Sequence, residues 1–254
     1  MVQVGYKWEL HKRLMRDKLL ASTLPETYLW SPKVMWSMFQ RYPSVILKPS
    51  GGTGGYAVFH ILRKSPHQYE LRYGKEKKVA NGKVALERLL QRFIPIGGTK
   101  YLIQNRIPLV SVNHSPIDIR FMVQRRQVNS PWVITGHLAK IAGKGYFITN
   151  MERSRGAVIP TQQAISLAKF DRPVSVPQLM KSMSQISLRA SKMVGRSPVC
   201  KAIGMDLALD RRGKIWIIEA NPQPIASPAI NFFKHLKDKS MYQRMIQFGY
   251  NPNK

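Results

Sequence analysis

The chain has 254 residues, of which 41 are Lys or Arg and 13 are Asp or Glu, giving a formal charge of +28. Apolar residues make up 44%, enough for a packed core and too many for wholesale disorder, while the charge predicts attraction to something anionic without naming it. A single cysteine, Cys200, excludes an internal disulfide and a Cys-rich zinc site.

The first residues, MVQVGYKWELHKRLMR, lack the apolar run of a signal peptide, and no stretch is apolar for long enough to span a bilayer. A cytoplasmic protein without a transmembrane segment is therefore expected. The six histidines show no HExxH spacing, which argues against zinc chemistry.

Residues 7–20 carry Trp8, Leu10, Leu14, Leu19 and Leu20 at helical spacing, with a basic outer face. That face suits either an anionic partner or plain solvation. Leu24-Pro25 breaks the pattern, and Ser31-Pro32 marks a second helix running to about Tyr42. Val45 to Leu47 read as a buried strand ending in Lys48. The loop Ser50-Gly51-Gly52-Thr53-Gly54-Gly55 follows, then an alternating strand from Tyr56 to Leu62. Glycines let backbone N–H groups approach phosphate oxygens, and Lys48 adds a point charge there. The alternative is a flexible hairpin loop. Because the lysine precedes the glycines and a strand follows them, this is not a Walker A loop. A strand at 68–73, a helix at 82–93 and a strand at 101–107 come next. Gln104 on the last of these suits an adenine edge or, equally, a polar position at a sheet edge.

Asp118 to Gln124 alternates, with Ile119, Phe121 and Val123 on one side and Asp118 and Arg120 on the other. Such a pair serves as a structural ion pair, or leaves the Arg120 fork for a phosphoryl group. Residues 132–142 form a partner strand carrying Lys140. The loop Gly143 to Gly156 holds Asn150, Arg153 and Arg155 in a segment read as mobile. Residues 176–194 read as a helix whose methionines fill core space, and 228–248 as a C-terminal helix. Between them, Gly204 to Pro224 reads as a hairpin around Asp210-Arg211-Arg212-Gly213. Pairing Asp210 with Gly213 sets Asp206 opposite Ile217, with Glu219 diagonal to it. Glu219 and Asn221 share a face. Two carboxylates and an amide oxygen form an oxygen-only cluster of the kind that holds Mg²⁺. The scarcity of acids weakens the alternative of ordinary solvent-facing carboxylates.

In this order, Lys48 with its glycine loop, Gln104, Asp118-x-Arg120, Lys140, Asn150 with Arg155-Gly156, Asp206 and Glu219-x-Asn221 resemble the ATP-grasp superfamily. The segments YKWELHKRL, DIRFMVQR and IEANPQP resemble its YheC/YheD-type, endospore coat-associated branch. The resemblance covers essentially the whole chain. It implies an α+β ATP-grasp fold with a helical segment at 1–29 and two α+β subdomains, 30–106 and 107–254, clasping ATP. With 47 residues before Lys48, the domain that precedes the core in many ligases is expected to be absent. It also implies roles for the residues. Lys48, Gly51, Gly52, Thr53, Gly54, Gly55, Gln104 and Asn150 would hold ATP, and Asp206, Glu219 and Asn221 would hold Mg²⁺. Arg120, Lys140 and Arg155 would act on the transferring phosphate. The implied activity is an ATP-dependent carboxylate–amine ligase working through an acyl phosphate. Its acceptor would be anionic: an acidic peptide, an amino acid or a cell-wall-type polymer. The competing reading is a spore coat-associated nucleotide-binding protein without turnover. Nucleic-acid binding is disfavoured, because a phosphate-backbone binder needs no magnesium carboxylates.

Overall fold

The computed structural model describes residues 6–52, 55–94, 100–149, 154–197, 199–222 and 228–249. Two antiparallel sheets organise them. The first contains β1 (Thr27–Leu29), β2 (Ser44–Pro49), β3 (Phe59–Ser65), β4 (Gln68–Tyr73), β5 (Glu76–Asn81) and β6 (Tyr101–Asn105), in the order β1-β6-β2-β3-β4-β5. Helices α3 (Pro32–Arg41) and α4 (Lys83–Gln91) cover one face, where Met35, Met38, Phe39, Leu86 and Leu90 meet Val45, Leu47, Phe59 and Ile61. The Ser31 hydroxyl caps α3 by accepting from the Val34 amide at 3.2 Å, and Pro32 takes the first turn, where its missing N–H costs nothing.

The second sheet contains β7 (Ser111–Val112), β8 (Ser115–Gln124), β9 (Val133–Ile141), β10 (Ala157–Ile159), β11 (Ala202–Leu209) and β12 (Ile215–Pro222), in the order β10-β9-β8-β11-β12 with β7 beside β8. Strand alternation divides its residues cleanly. Ile119, Phe121, Val123, Met205, Leu207 and Ile217 enter the larger core. They pack there with α1 (Tyr6–Met15), α2 (Lys18–Ala21), α5 (Thr161–Leu167) and α6 (Val176–Val194). Leu10, Leu14 and Leu20 of the first two helices belong to this core, so the start of the chain packs against the sheet formed by its end. On the opposite face, Met122 and Leu138 meet Phe233, Leu236, Tyr242 and Met245.

Several elements differ from the sequence reading. The strand expected from Tyr56 begins at Phe59, because Tyr56 and Ala57 lie in a turn with Ala57 at φ 54°. β5 was not anticipated: its pattern is nearly all exposed, as suits a charged edge strand. The C-terminal helix is a 3₁₀ segment, Pro228–His235, followed by α7 (Ser240–Gln247). The Asp238 carboxylate accepts from the Ser240 amide at 2.8 Å and its hydroxyl at 2.9 Å, which starts a new helix instead of continuing the old one.

Candidate functional site

The hairpin of β11 and β12 forms, but in a shifted register. Asp210 pairs with Lys214 rather than Gly213: its amide donates to the Lys214 carbonyl at 3.0 Å. The Asp210 carboxylate accepts from the Arg212 and Lys214 amides at 2.9 Å each and from the Trp216 indole at 3.0 Å, fixing a loop one residue longer than expected. Leu207 then faces Ile217, and a bulge at Ile218 brings Glu219 directly opposite Asp206. Asp206 on its other side faces Arg120, while Asp118 faces Lys140. Glu219, Asp206 and Arg120 thus form one row across three strands, flanked by Asp118 and Lys140.

The row is tightly wired. Arg120 donates from Nε and Nη2 to the two Asp206 oxygens, each at 2.7 Å. Lys140 Nζ lies 3.0 Å from Asp206 Oδ1 and 2.9 Å from Asp118 Oδ1. The Asn221 amide nitrogen donates to Asp206 Oδ2 at 3.2 Å, and the Thr149 hydroxyl donates to Asp118. All four charged groups are buried. Burial works against the charge on Asp206, but Arg120 and Lys140 outweigh it and hold the carboxyl well below the usual carboxylate range. Burial pushes Asp118 up to about 6 against the pull of Lys140, with the charge on Asp206 adding to the rise. Gly204 makes room for this arrangement. A Cβ there would sit 2.8 Å from Arg120 Nη1.

Lys48 approaches from the other sheet and donates to the Ile218 carbonyl at 3.2 Å, beside the bulge. Burial pushes its ammonium down to about 8 against the pull of Glu219. A further cation comes from the N-terminal helix, whose basic face the sequence leaves open between an anionic partner and plain solvation. Lys7, at the start of α1, lies 3.2 Å from Glu219 Oε1, and the Lys7 amide donates to the Ser50 carbonyl at 3.0 Å. The Trp8 amide reaches the Ser50 hydroxyl at 3.3 Å. His11 on the same helix is pushed down to about 4 by burial and by the charge of Lys48. The helix therefore joins the beginning of the glycine loop to the acidic hairpin. Nothing in the helical spacing of residues 7–20 signals this contact, because Glu219 lies at the far end of the chain.

The other anticipated residues fare variously. Gly51, Gly52 and Gly55 follow β2, with Gly52 and Gly55 at positive φ, while Thr53, Gly54 and Asn150 lie outside the described residues. The Gln104 amide donates to Thr27 Oγ1 at 2.7 Å, so its side chain ties β6 to β1 across the sheet. Arg155 is exposed, at φ 49°, and is not part of the buried network. The loop that carries it is pinched at its neck: a Cβ on Gly143 would meet the Ser154 carbonyl oxygen at 1.7 Å, and one on Gly156 the Ile141 carbonyl oxygen at 1.9 Å.

Asp206, Glu219 and Asn221 suit Mg²⁺ in kind, with carboxylates on facing strand positions and an amide oxygen left over when Asn221 donates its nitrogen. Among the described residues, no three His, Cys, Asp or Glu side chains gather as a metal cage. An ion held here would complete its shell with nucleotide oxygens and water.

Comparison with known proteins places this site in context. The profile of a family described as "YheC/D like ATP-grasp" matches residues 3–250. The endospore coat-associated protein YheD of Bacillus subtilis (strain 168) is 24% identical over 226 residues, covering 86% of this chain and 48% of that protein. The chain thus spans about half the length of that relative. Among solved structures, the ATP-grasp ligase PsnB complexed with a minimal precursor superposes with a TM-score of 0.53 at 14% identity, over 97% of this chain and 62% of that one. The biotin carboxylase domain of Hydrogenobacter thermophilus 2-oxoglutarate carboxylase, bound to MgADP and bicarbonate, gives 0.55 at 15% identity over 97% and 46%.

Proposed function

The chain belongs to the YheC/D-like ATP-grasp family, and from that premise we propose that it binds Mg·ATP and uses it to join an anionic carboxylate to an amine. The observation that carries this reading is the row Glu219–Asp206–Arg120 with Lys140, buried at Asp206, Arg120 and Lys140 and approached from the opposite sheet by Lys48. Carboxylates for a metal and cations for phosphates are both present, and phosphoryl transfer needs little else from a protein. Lys48 and Lys7, with the backbone of the glycine loop, would hold the phosphates. Asp206, Glu219 and Asn221 would hold Mg²⁺, which neutralises charge on the β- and γ-phosphates when bound. Residues 30–106 and 107–254 would form the two halves of the clasp, with 1–29 serving the second through its packing.

In the reaction, an oxygen of the acceptor carboxylate bonds to the γ-phosphorus as the bond to the bridging oxygen breaks and ADP departs. The amine nitrogen then bonds to the acyl carbon, phosphate leaves with its electron pair, and the nitrogen loses a proton. Arg120 and Lys140 would exchange their carboxylate partners for the phosphoryl oxygens during the first step. The PsnB likeness and the MgADP in the carboxylase structure support the nucleotide and metal. An acidic peptide, an amino acid or a cell-wall-type polymer remains the acceptor class that the basic surface favours.

A second reading is a coat-associated nucleotide binder without turnover. It is favoured by the closed Asp206–Arg120 pair, which occupies the cations that the ligase needs, and by the coat association named for the relative. Calorimetry with Mg·ATP and a coupled ADP-release screen across acidic peptides and amino acids test both. Tight binding lost in Lys48→Met and Glu219→Gln, with ADP release in the presence of one acceptor, is the expected result. Binding without release selects the second reading, and no binding sinks both.

A further inference from the structure

Arg120 and Lys140 hold the same carboxylate but are not equivalent. Among the described residues, Arg120 is hydrogen-bonded to Asp206 alone, through Nε and Nη2 at 2.7 Å each. Lys140 is shared: its Nζ lies 3.0 Å from Asp206 Oδ1 and 2.9 Å from Asp118 Oδ1. Asp118 is two residues from Arg120 on the same face of β8, and it stands opposite Lys140 on β9. The pairing of β8 with β11 ends at Ile119, so Asp118 sits just past the strand that carries Asp206. Its second oxygen accepts from the Thr149 hydroxyl. Neither donor to Asp118 comes from the hairpin that carries Asp206, Glu219 and Asn221. Asp118 is also 7% exposed, too buried for water to replace these partners. The function assigned to the row leaves this carboxylate without a task.

We propose that Asp118 is a positioning residue, the counterion on which Lys140 falls back when Asp206 is given over to the metal. This rests on the Mg·ATP reading above and sharpens the roles within it. Ligation needs the Asp206 lone pairs that Arg120 and Lys140 occupy, so both cations must yield. A buried cation left without its partner is strongly unfavourable. Arg120 has no second carboxylate, and only incoming phosphate oxygens can take its fork. It is the cation that travels. Lys140 already has Asp118 within hydrogen-bond distance and stays where it is. Its ammonium has three donors, so it keeps Asp118 while meeting a phosphoryl oxygen. Asp206 is thereby freed without leaving either buried cation unpaired.

The test measures, by calorimetry on the full chain, the Mg²⁺ concentration that half-saturates ATP binding, with ATP binding in EDTA measured alongside. In Asp118→Asn, Lys140 has Asp206 alone and competes with the metal for it. Half-saturating Mg²⁺ should rise by about tenfold or more, since one adjacent cation biases a carboxylate by at least that factor. ATP binding in EDTA should be unchanged or tighter, because this variant carries one negative charge fewer. In Lys140→Met the competitor is gone, and half-saturating Mg²⁺ should fall below that of the wild type. Asp118→Asn/Lys140→Met should return to within about threefold of the wild type, as coupled neighbours do. Opposite shifts in the two single variants cannot come from a shared loss of folding. Equal weakening of ATP binding with and without metal in Asp118→Asn overturns the proposal and leaves the nucleotide reading standing. So does a Mg²⁺ requirement in Lys140→Met that matches or exceeds that of the wild type. Wild-type protein that binds ATP no better with Mg²⁺ than in EDTA overturns the metal reading and this proposal together.

Discussion

Asp206→Asn tests whether the buried row is held by charge balance. In the native protein two carboxylates, Asp118 and Asp206, face two cations, Arg120 and Lys140, in a site closed to solvent. The substitution keeps the shape and leaves an amide oxygen to accept a hydrogen bond, but one buried positive charge loses its counterpart. Breaking a buried ion pair from one side costs about 3–5 kcal/mol. For a chain of this size each kcal/mol moves the melting temperature by about 2–4 °C, so a drop of roughly 10 °C is expected at neutral pH. Adding Lys140→Met restores the balance, since Asp118 and Arg120 remain as an oppositely charged pair. The double variant should therefore melt above the sum of the two single losses, with a coupling of at least about 1 kcal/mol. Thermal melts of wild type, both singles and the double, followed by circular dichroism, give all four values. Strictly additive losses, or a melting temperature for Asp206→Asn within about 2 °C of wild type, refute the charge-balance argument.

Gly204→Ala places a methyl group against Arg120 Nη1 at 2.8 Å, and the bidentate grip of Asp206 prevents an easy retreat. A stability loss of about 1–3 kcal/mol and weaker ATP binding are expected from melts and calorimetry. Lys7→Met should behave differently. The Lys7–Glu219 pair is partly solvated, with Glu219 24% exposed at its side chain, so stability should change by less than about 1 kcal/mol. ATP affinity should fall by about tenfold or more, as the loss of one charged hydrogen bond implies. Lys48 gives a pH signature. With its ammonium near 8 in the folded protein and 10.5 ordinarily, the unfolded chain binds more protons between these values, so this group's contribution to stability rises with pH across that window. Phosphate oxygens favour the charged form, so ATP binding at pH 8–9 should take up a proton. Calorimetry in buffers of different ionisation enthalpy measures this uptake, which should vanish in Lys48→Arg, whose guanidinium stays charged throughout that range.

The pattern of apolar residues made the sheets and helices legible because each strand and helix buries one side in a core. The face assignment of Asp118 and Arg120 follows from alternation alone, and Ile119, Phe121 and Val123 do enter the core opposite them. The hairpin register was not legible. It depends on the Asp210 carboxylate gathering two amides and an indole, and on one extra residue at Ile218, neither of which changes the apolar pattern. The observed register sets Glu219 beside Asp206 instead of diagonal to it, which tightens the site. Lys7 was invisible for a different reason. Its partner Glu219 lies over two hundred residues away, and nothing in a helical period reports a contact at that range. Gln104 shows the converse. A residue type suited to a purine edge is spent on a sheet contact with Thr27.

The distribution of acids explains why a chain with so much positive charge still folds compactly. Asp118 and Asp206 neutralise buried cations, Glu219 meets Lys7, and Asp17 pairs with Arg189 at 2.6 Å. Glu26 receives the Tyr42 hydroxyl at 2.6 Å and pairs with Arg41, Glu70 pairs with Arg72, and Asp171 lies 2.6 Å from Arg211. Asp210 and Asp238 organise turns through backbone amides. Carboxylates used this way satisfy local partners and leave few to balance Lys and Arg at the surface. Self-repulsion among those cations costs stability, which a polyanion on the surface would offset. The same scarcity of acids that makes the hairpin carboxylates informative therefore leaves most of the Lys and Arg charge without a carboxylate partner.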